Sequence, residues 1–292
     1  MKFQKFNLFF LATALFLGCS KGPSTAELYS LKAEMYIRSG ETESAQKALN
    51  TALSDNPEFI EAHILQSKVY VLENKVDKAI EQLEKARGIN AKDLDVLYSL
   101  GFLYTRKNEF DKALSIYHDA ISVNPDTSLG YNNLAVAYHS KKEYKKAVEN
   151  YKKAVKIDSA FVEAYYNLGN SYAMLGNFQD AINSYNKSVE LDPKYTNAYA
   201  ELSSVYGKIG NSAEAGNNVG LYYFWKNQYE QAVKAFQDVV KAHPEHAVAY
   251  NNLAVSYDKL GDREASLSNL KKSASLGYPP AMDICKKNNI AF

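Results

Sequence analysis

The chain lacks the sequence features of an enzyme or of a nucleic-acid-binding protein. Its 34 basic and 33 acidic side chains give a net charge of +1, which provides no electrostatic basis for binding a polyanion. The sequence contains no glycine-rich phosphate loop, no serine nucleophile elbow and no paired cysteine and histidine motif. We therefore expect no enzymatic activity, no cofactor, no nucleic-acid partner and no small-molecule substrate.

Histidine and cysteine are also scarce, with five histidines and two cysteines. His243 and His246 are close in sequence, but Pro244 between them prevents the helical spacing that a zinc site would require. We expect no metal site there. Cys19 is accounted for by the N-terminal motif described below, which leaves Cys285 unpaired, so we expect no intrachain disulfide framework.

The apolar stretch from Leu8 to Leu17 is too short to span a bilayer, which takes roughly 20 apolar residues. Lys2 and Lys5 precede it, a pattern typical of an export signal. The stretch ends in LFLGCS, residues 15–20, which resembles the lipobox of bacterial lipoproteins, although Phe16 stands where leucine is usual.

This resemblance implies that residues 1–18 are a signal peptide, that Cys19 is lipidated, and that residues 19–25 form the new N-terminus and a short spacer. Ser20, in place of an aspartate, implies sorting to the outer membrane. The protein is then expected in the bacterial cell envelope, lipid-anchored and facing the periplasm. The alternative is an ordinary secretory signal cut near Gly18, which leaves Cys19 free.

A regular period organises most of the chain, with the same pattern starting again at positions 94, 128 and 162. Each unit predicts two helices, because a small residue allows close helix approach and an alanine and an aromatic four apart mark the facing stripe of the second helix. One unit cannot bury its own apolar face, so units have to stack. The shared positions are Leu100, Gly101, Tyr104, Ala113, Tyr117 and Pro125, then Leu168, Gly169, Tyr172, Ala181, Tyr185 and Pro193.

These positions resemble the tetratricopeptide repeat, and residues 162–195 match that pattern along their whole length. The resemblance implies an all-α, right-handed solenoid of helix pairs. The predicted organisation is five units over residues 26–195, one unpaired helix over 196–212, two units over 213–280 and a C-terminal cap over 281–292.

The register breaks by half a period between Tyr195 and Ala213. Successive helices alternate in direction, so one odd helix reverses every later helix relative to the surface of the stack. We expect the last two units not to continue the same groove, and the helix at residues 212–226 to serve both its neighbours. The alternative is a tolerated deletion without a role.

Asparagines on the first helices of several units are the best functional signal. A carboxamide both donates and accepts, so it can bind the backbone of an extended peptide whatever its sequence. In the family these positions face the concave side of the stack, but asparagine there can also serve helix packing. The candidate peptide-binding residues are Asn132, Asn133, Asn167, Asn170, Asn218 and Asn252, with side-chain pockets from Tyr98, Phe102 and Tyr166.

Two surface patches each have two interpretations. The aromatic run Tyr222, Phe224 and Trp225 is either packing for the odd helix or a hot spot for a partner. The lysines between residues 141 and 156 either meet an acidic partner or anionic lipid, or form a solvated face with Glu143 and Glu149.

Together these features predict a noncatalytic, membrane-anchored scaffold or adaptor that binds a partner protein or extended peptide in its groove. By resemblance, it would be an accessory subunit in cell-envelope assembly. One alternative is a soluble secreted or host-facing binding protein. Another is a noncatalytic regulator of a periplasmic peptidase or peptidoglycan synthase.

Overall fold

Helices account for all regular secondary structure in residues 22–292, the part of the chain that the computed structural model describes. The chain divides into two compact units, Met1–Val123 and Asn124–Phe292. The first unit contains α1 (Thr25–Ser39), α2 (Thr42–Asp55), α3 (Ile60–Leu72), α4 (Val76–Ile89), α5 (Leu94–Arg106) and α6 (Phe110–Val123). The second contains α7 (Ser128–Ser140), α8 (Tyr144–Ile157), α9 (Val162–Met174), α10 (Phe178–Leu191), α11 (Thr196–Lys208), α12 (Ser212–Trp225), α13 (Tyr229–Ala242), α14 (Ala247–Leu260), α15 (Arg263–Ser275) and α16 (Pro279–Lys287).

The fold is an all-α helical repeat solenoid, which confirms the predicted fold class. Helices α3, α5, α7, α9 and α11 begin at positions 60, 94, 128, 162 and 196, at the predicted period. Within each of the two compact units, consecutive helices pack on each other. Alternate helices are also in contact, for example α1 with α3 and α7 with α9.

Two kinds of turn alternate along the chain. The turn inside a helix pair has a residue with positive φ, which ends the first helix in the left-handed conformation. These residues recur once per period, at Gly40, Asn74, Asn108, Lys142, Gly176 and Gly210. The turn between pairs instead uses an Asn or Asp whose side-chain oxygen accepts a hydrogen bond from the backbone two residues later. Those residues are Asn56, Asn90, Asn124, Asp158 and Asp192.

This alternation changes at α12. The turn before it contains Gly210 (φ 78°), and the turn after it contains Asn227 (φ 59°), so two left-handed turns follow each other at half the usual period. The next residue with positive φ, Gly261, comes a full period after Asn227. Helix α12 is therefore joined to both α11 and α13 by the kind of turn that, from α1 to α11, lies inside a pair.

A close contact between a first-helix glycine and a second-helix aromatic ring explains the Leu-Gly pattern. A Cβ atom placed on Gly169 would lie 2.6 Å from the Tyr185 ring, and one on Gly101 would overlap Tyr117. Gly220 on α12 faces Phe236 on α13 in the same way. The helices approach this closely only because the side chain is absent.

The C-terminal helix α16 closes the second unit. Cys285 and Ala281 are fully buried, and Met282 packs against the same small cluster. The helix begins at Pro279, slightly earlier than predicted, because proline is well tolerated in the first turn, where its missing N–H would have no helical partner.

Candidate peptide-binding surface

The second unit places Asn133 and Asn167 at equivalent positions of two touching helices, α7 and α9. The next residue in each helix, Leu134 or Leu168, is buried in the core. The helical rotation between neighbours turns the asparagines away from that core, and both are half-buried. The two carboxamides therefore repeat along one face.

A chain of hydrogen bonds fixes α7 against α9 beside these asparagines. His139 Nδ1 lies 2.9 Å from Ser171 Oγ, and Ser171 Oγ donates to the backbone carbonyl of Asn167 at 3.0 Å. Because the serine hydroxyl donates its proton to the carbonyl, the imidazole Nδ1–H is the donor to Ser171. Burial lowers the pKa of His139, so the neutral ring is favoured.

The carboxamides on α7 and α9 retain unused hydrogen-bonding groups. Asn132 is buried and donates to Asn133 Oδ1 at 3.4 Å, a weak bond that leaves the Asn133 N–H groups available. The Asn167 side chain has no partner within residues 22–292. The Asn132 Oδ1 atom, by contrast, is inaccessible and also lacks a partner in that range, so Asn132 supports Asn133 rather than facing a ligand.

Asn170 has a defined packing role. The hydroxyl of buried Tyr185 donates to Asn170 Oδ1 at 2.7 Å. Burial raises the pKa of Tyr185 well above its ordinary value, so this hydroxyl remains a donor. The bond orients Asn170 and leaves its amide N–H groups for another acceptor.

The aromatic candidates differ in exposure. Tyr166 is half-buried, and its ring centroid lies 5.9 Å from that of Tyr185 and 5.3 Å from that of Tyr195. Its ring therefore packs against the core, one residue before Asn167 in the helix. Tyr98 and Phe102 lie on α5 in the first unit, where Tyr98 is half-buried and Phe102 is 53% exposed.

The later asparagines are used inside the protein. Asn218 is buried and donates to the backbone carbonyl of Glu214 at 2.8 Å, one turn earlier in α12. Asn252 on α14 donates to Asn217 Oδ1 on α12 at 2.9 Å. Asn217 is itself buried. The Asn252–Asn217 bond joins α12 to α14. Both bonds use amide N–H groups of Asn218 and Asn252 that could otherwise bind a peptide.

The aromatic run on α12 packs against both neighbouring cores. Tyr222 and Trp225 lie against the cluster formed by α7 to α11. Phe224 and Tyr223 lie against the cluster of α13 and α14, and Leu221 contacts both. Packing thus accounts for this run and explains why the helix is apolar on two faces.

Several of the lysines between residues 141 and 156 have local partners. Glu143 forms ion pairs with Lys146 at 2.6 Å and Lys141 at 3.1 Å, and their hydrogen bonds lower the pKa of its carboxyl group. Lys152 and Lys153 lie 5.5 and 5.3 Å from the ring centroids of Tyr172 and Tyr131. The ion pairs and cation–π contacts match a solvated face.

Within residues 22–292 no group of histidine, cysteine, aspartate or glutamate side chains has the arrangement of a metal site. His243 Nε2 instead lies 2.8 Å from Ser212 Oγ, and His246 Nε2 lies 3.3 Å from Glu214. No helix in the same range is long and apolar enough to cross a membrane. Cys19 and the predicted signal peptide, residues 1–18, lie outside the described residues.

Four family models recognise tetratricopeptide repeats in this chain. They are described as tetratricopeptide or TPR repeats and match residues 31–93 and 220–270, 70–135, 137–176, and 162–195. The predicted tetratricopeptide repeats are therefore confirmed within residues 31–135, 137–195 and 220–270. No curated protein matches the sequence.

Solved structures agree on the fold. PilW, described as a widely conserved type IV pilus biogenesis factor, is 16% identical with a TM-score of 0.64, covering 73% of this chain and 99% of its own. PilF from Pseudomonas aeruginosa is 15% identical with a TM-score of 0.57, covering 81% and 96%. A tetratricopeptide repeat protein from Parabacteroides merdae is 18% identical with a TM-score of 0.54, covering 90% and 98%. At these identities the likeness establishes the fold.

Proposed function

We propose that this protein is a noncatalytic scaffold of the bacterial cell envelope that binds an extended segment of a partner protein on the α7–α9 surface. The observation that carries the proposal is the pair of equivalent carboxamides, Asn133 and Asn167, whose N–H groups are not consumed inside the protein. Asn170 and the Tyr166 ring lie on the same helix as Asn167 and extend this surface.

The chemistry of the surface suits a peptide backbone. Each carboxamide can donate to a carbonyl and accept from an N–H of an extended chain, independently of the peptide's side chains. One such hydrogen bond contributes about 0.5–1.5 kcal/mol net. Three carboxamides therefore provide modest affinity, and apolar side chains of the peptide have to add to it against surfaces such as Tyr166.

We further propose that Cys19 carries the acyl chains that hold the protein at the outer membrane. One acyl chain gives marginal binding and two or more give stable anchoring, at about 0.8 kcal/mol per buried methylene. The fold-level likeness to PilW, a type IV pilus biogenesis factor, supports the proposal of an accessory role in envelope assembly.

Site-specific photocrosslinking in intact cells tests the binding surface. A photoreactive residue placed at Tyr165, which is half-buried next to Tyr166, should form adducts with a discrete partner. The same residue at Tyr250 on α14, also half-buried, is the matched control and should give far fewer adducts. Equal yields at both positions, or none at Tyr165, would overturn the assignment to α7 and α9.

Mass spectrometry of the mature N-terminus tests the anchor separately. The expected species begins at Cys19 and carries acyl chains. An intact Met1 or an unmodified Cys19 would contradict the anchor and leave the peptide surface unaffected.

A further inference from the structure

Helix α1 has an apolar outer face. Ala26, Ser30 and Ala33 are buried on one side of the helix. The opposite side carries Leu28, Leu31 and Met35, which are 43%, 46% and 54% exposed. Their spacing of three and four positions places them on one stripe, directly away from the core.

Equivalent positions in a later helix show why this stripe is apolar. One period after Leu28 and Met35 come Ala62 and Val69 of α3, both fully buried in the cluster that includes α1 and α2. These positions are the ones with which a helix pair packs on the pair before it. Since α1 is the first described helix, its stripe has the chemistry of a packing face but is open to solvent.

From this stripe, we infer that α1 docks on the bilayer surface through Leu28, Leu31 and Met35, and this inference rests on the proposed lipid anchor. Cys19 precedes Thr25 by six residues, and six residues span at most about 20 Å. Acyl chains on Cys19 therefore confine α1 to the immediate neighbourhood of the lipid headgroups. An amphipathic helix in that position lies in the interface with its apolar face toward the acyl chains.

The polar groups of α1 are compatible with this orientation. Both carboxylates have local partners: Glu27 accepts from the Ser24 backbone N–H at 2.7 Å, and Glu34 pairs with Arg38 at 2.6 Å. Lys32 is exposed beside the stripe, with its ammonium 4.6 Å from the Tyr29 ring centroid. A lysine at the edge of an apolar stripe can extend its charge to the headgroups.

The size of the stripe favours a bilayer over a second copy of the chain. A stable protein–protein interface buries about 800 Å² on each partner, and three half-exposed side chains provide far less. A membrane contact does not need a large area, because the acyl chains supply the affinity for the bilayer. The apolar stripe only determines which side of α1 faces the membrane.

Spin labelling of the full acylated chain tests the inference. One variant is M35C, and the matched control is M174C, since Met174 is 58% exposed at the end of α9. Cys285 is fully buried, so the label reports on the introduced position. Both proteins are reconstituted into vesicles of phosphatidylethanolamine and phosphatidylglycerol, and acylation of Cys19 and flotation with the vesicles are verified first.

We expect the label at position 35 to shift toward collision with lipid-soluble oxygen, and the label at 174 to collide mainly with a water-soluble nickel chelate. A chain that is acylated and floats but exposes position 35 to the nickel chelate would overturn the docking and leave the anchor intact. Strong dipolar coupling between labels at position 35 would assign the stripe to a second copy and would also overturn it. An unacylated chain that does not float would contradict the anchor and the docking together.

Discussion

Helices α7 and α9 can be compared with α12 and α14, because Asn133, Asn167, Asn218 and Asn252 occupy the same position of their predicted repeats. On the first pair, Asn133 and Asn167 keep N–H groups that no internal partner uses. On the second, Asn252 bonds to Asn217 and Asn218 bonds to its own helix. The same residue in the same position of a repeat thus has two roles, and the neighbouring helices decide which.

The cause of the difference is the double packing of α12. An ordinary first helix has a pair-type turn on one side only, to the second helix of its own pair, and packs less extensively on the helix before it, as α9 does on α8. Helix α12 has pair-type turns on both sides and contacts two separate clusters, through Trp225 on one and Phe224 on the other. Its asparagines are therefore buried, and a buried carboxamide has to find partners inside the protein.

The largest expected effect concerns a feature that both regions share, the close approach of glycine to an aromatic ring. G169A should clash with Tyr185 and G220A with Phe236, and each should lower the free energy of unfolding by about 1–3 kcal/mol because the core cannot absorb an added methyl group. Urea denaturation of the two variants measures the loss.

G207A is the matched control for these variants. A Cβ atom at Gly207 meets nothing within 4 Å, so alanine should be neutral or stabilise α11 by up to about 1 kcal/mol through its better helix propensity. A loss at Gly220 no greater than at Gly207 would show that α12 and α13 do not pack as an ordinary pair.

The next prediction distinguishes the two sets of asparagines by stability. N217A and N252A should show a coupling free energy of about 0.5–1.5 kcal/mol in a double-mutant cycle, because they share a hydrogen bond at 2.9 Å. The pair N133A and N167A should show coupling near zero. Comparable coupling free energies in both pairs would show that Asn133 and Asn167 are no more available to a peptide than Asn217 and Asn252.

A smaller effect is expected from pH. Burial holds the pKa of His139 below its ordinary value of about 6.5, so below that pH the unfolded chain takes up a proton that the folded chain resists. The free energy of unfolding should therefore fall as the pH drops from about 6.5, until the folded-state pKa is passed. H139Q should reduce this dependence, whereas H118Q, which changes an exposed residue of α6, should retain it. A pH profile of H139Q that matches the wild type would exclude this histidine as the cause.

The sequence predicted the repeats because their period follows from the geometry of a helix pair. Leu168, Gly169, Ala181 and Tyr185 have to meet across two helices, so their spacing is visible without a structure. Whether an asparagine side chain is free to bind a peptide could not be predicted in the same way. That depends on contacts between residues far apart in sequence, such as Asn217 and Asn252.

The sequence contains a second signal for the double role of α12, besides the break in register. Gly210 and Asn227 are both residue types that adopt the left-handed conformation readily, and they are half a period apart where the earlier turns are a full period apart. The division of the chain into five units, one odd helix and two further units remains a prediction. By the type of turn alone, α12 could form a repeat pair with α11 or with α13.

Binding of the crosslinked partner to purified variants tests the central claim most directly. Isothermal titration should show that N133A combined with N167A weakens binding by about tenfold, since two hydrogen bonds of about 0.7 kcal/mol each are lost. N252A, which changes an asparagine used inside the protein, should leave the dissociation constant unchanged. Equal affinity of the double variant and the wild type would contradict the proposal that the α7–α9 surface binds the partner.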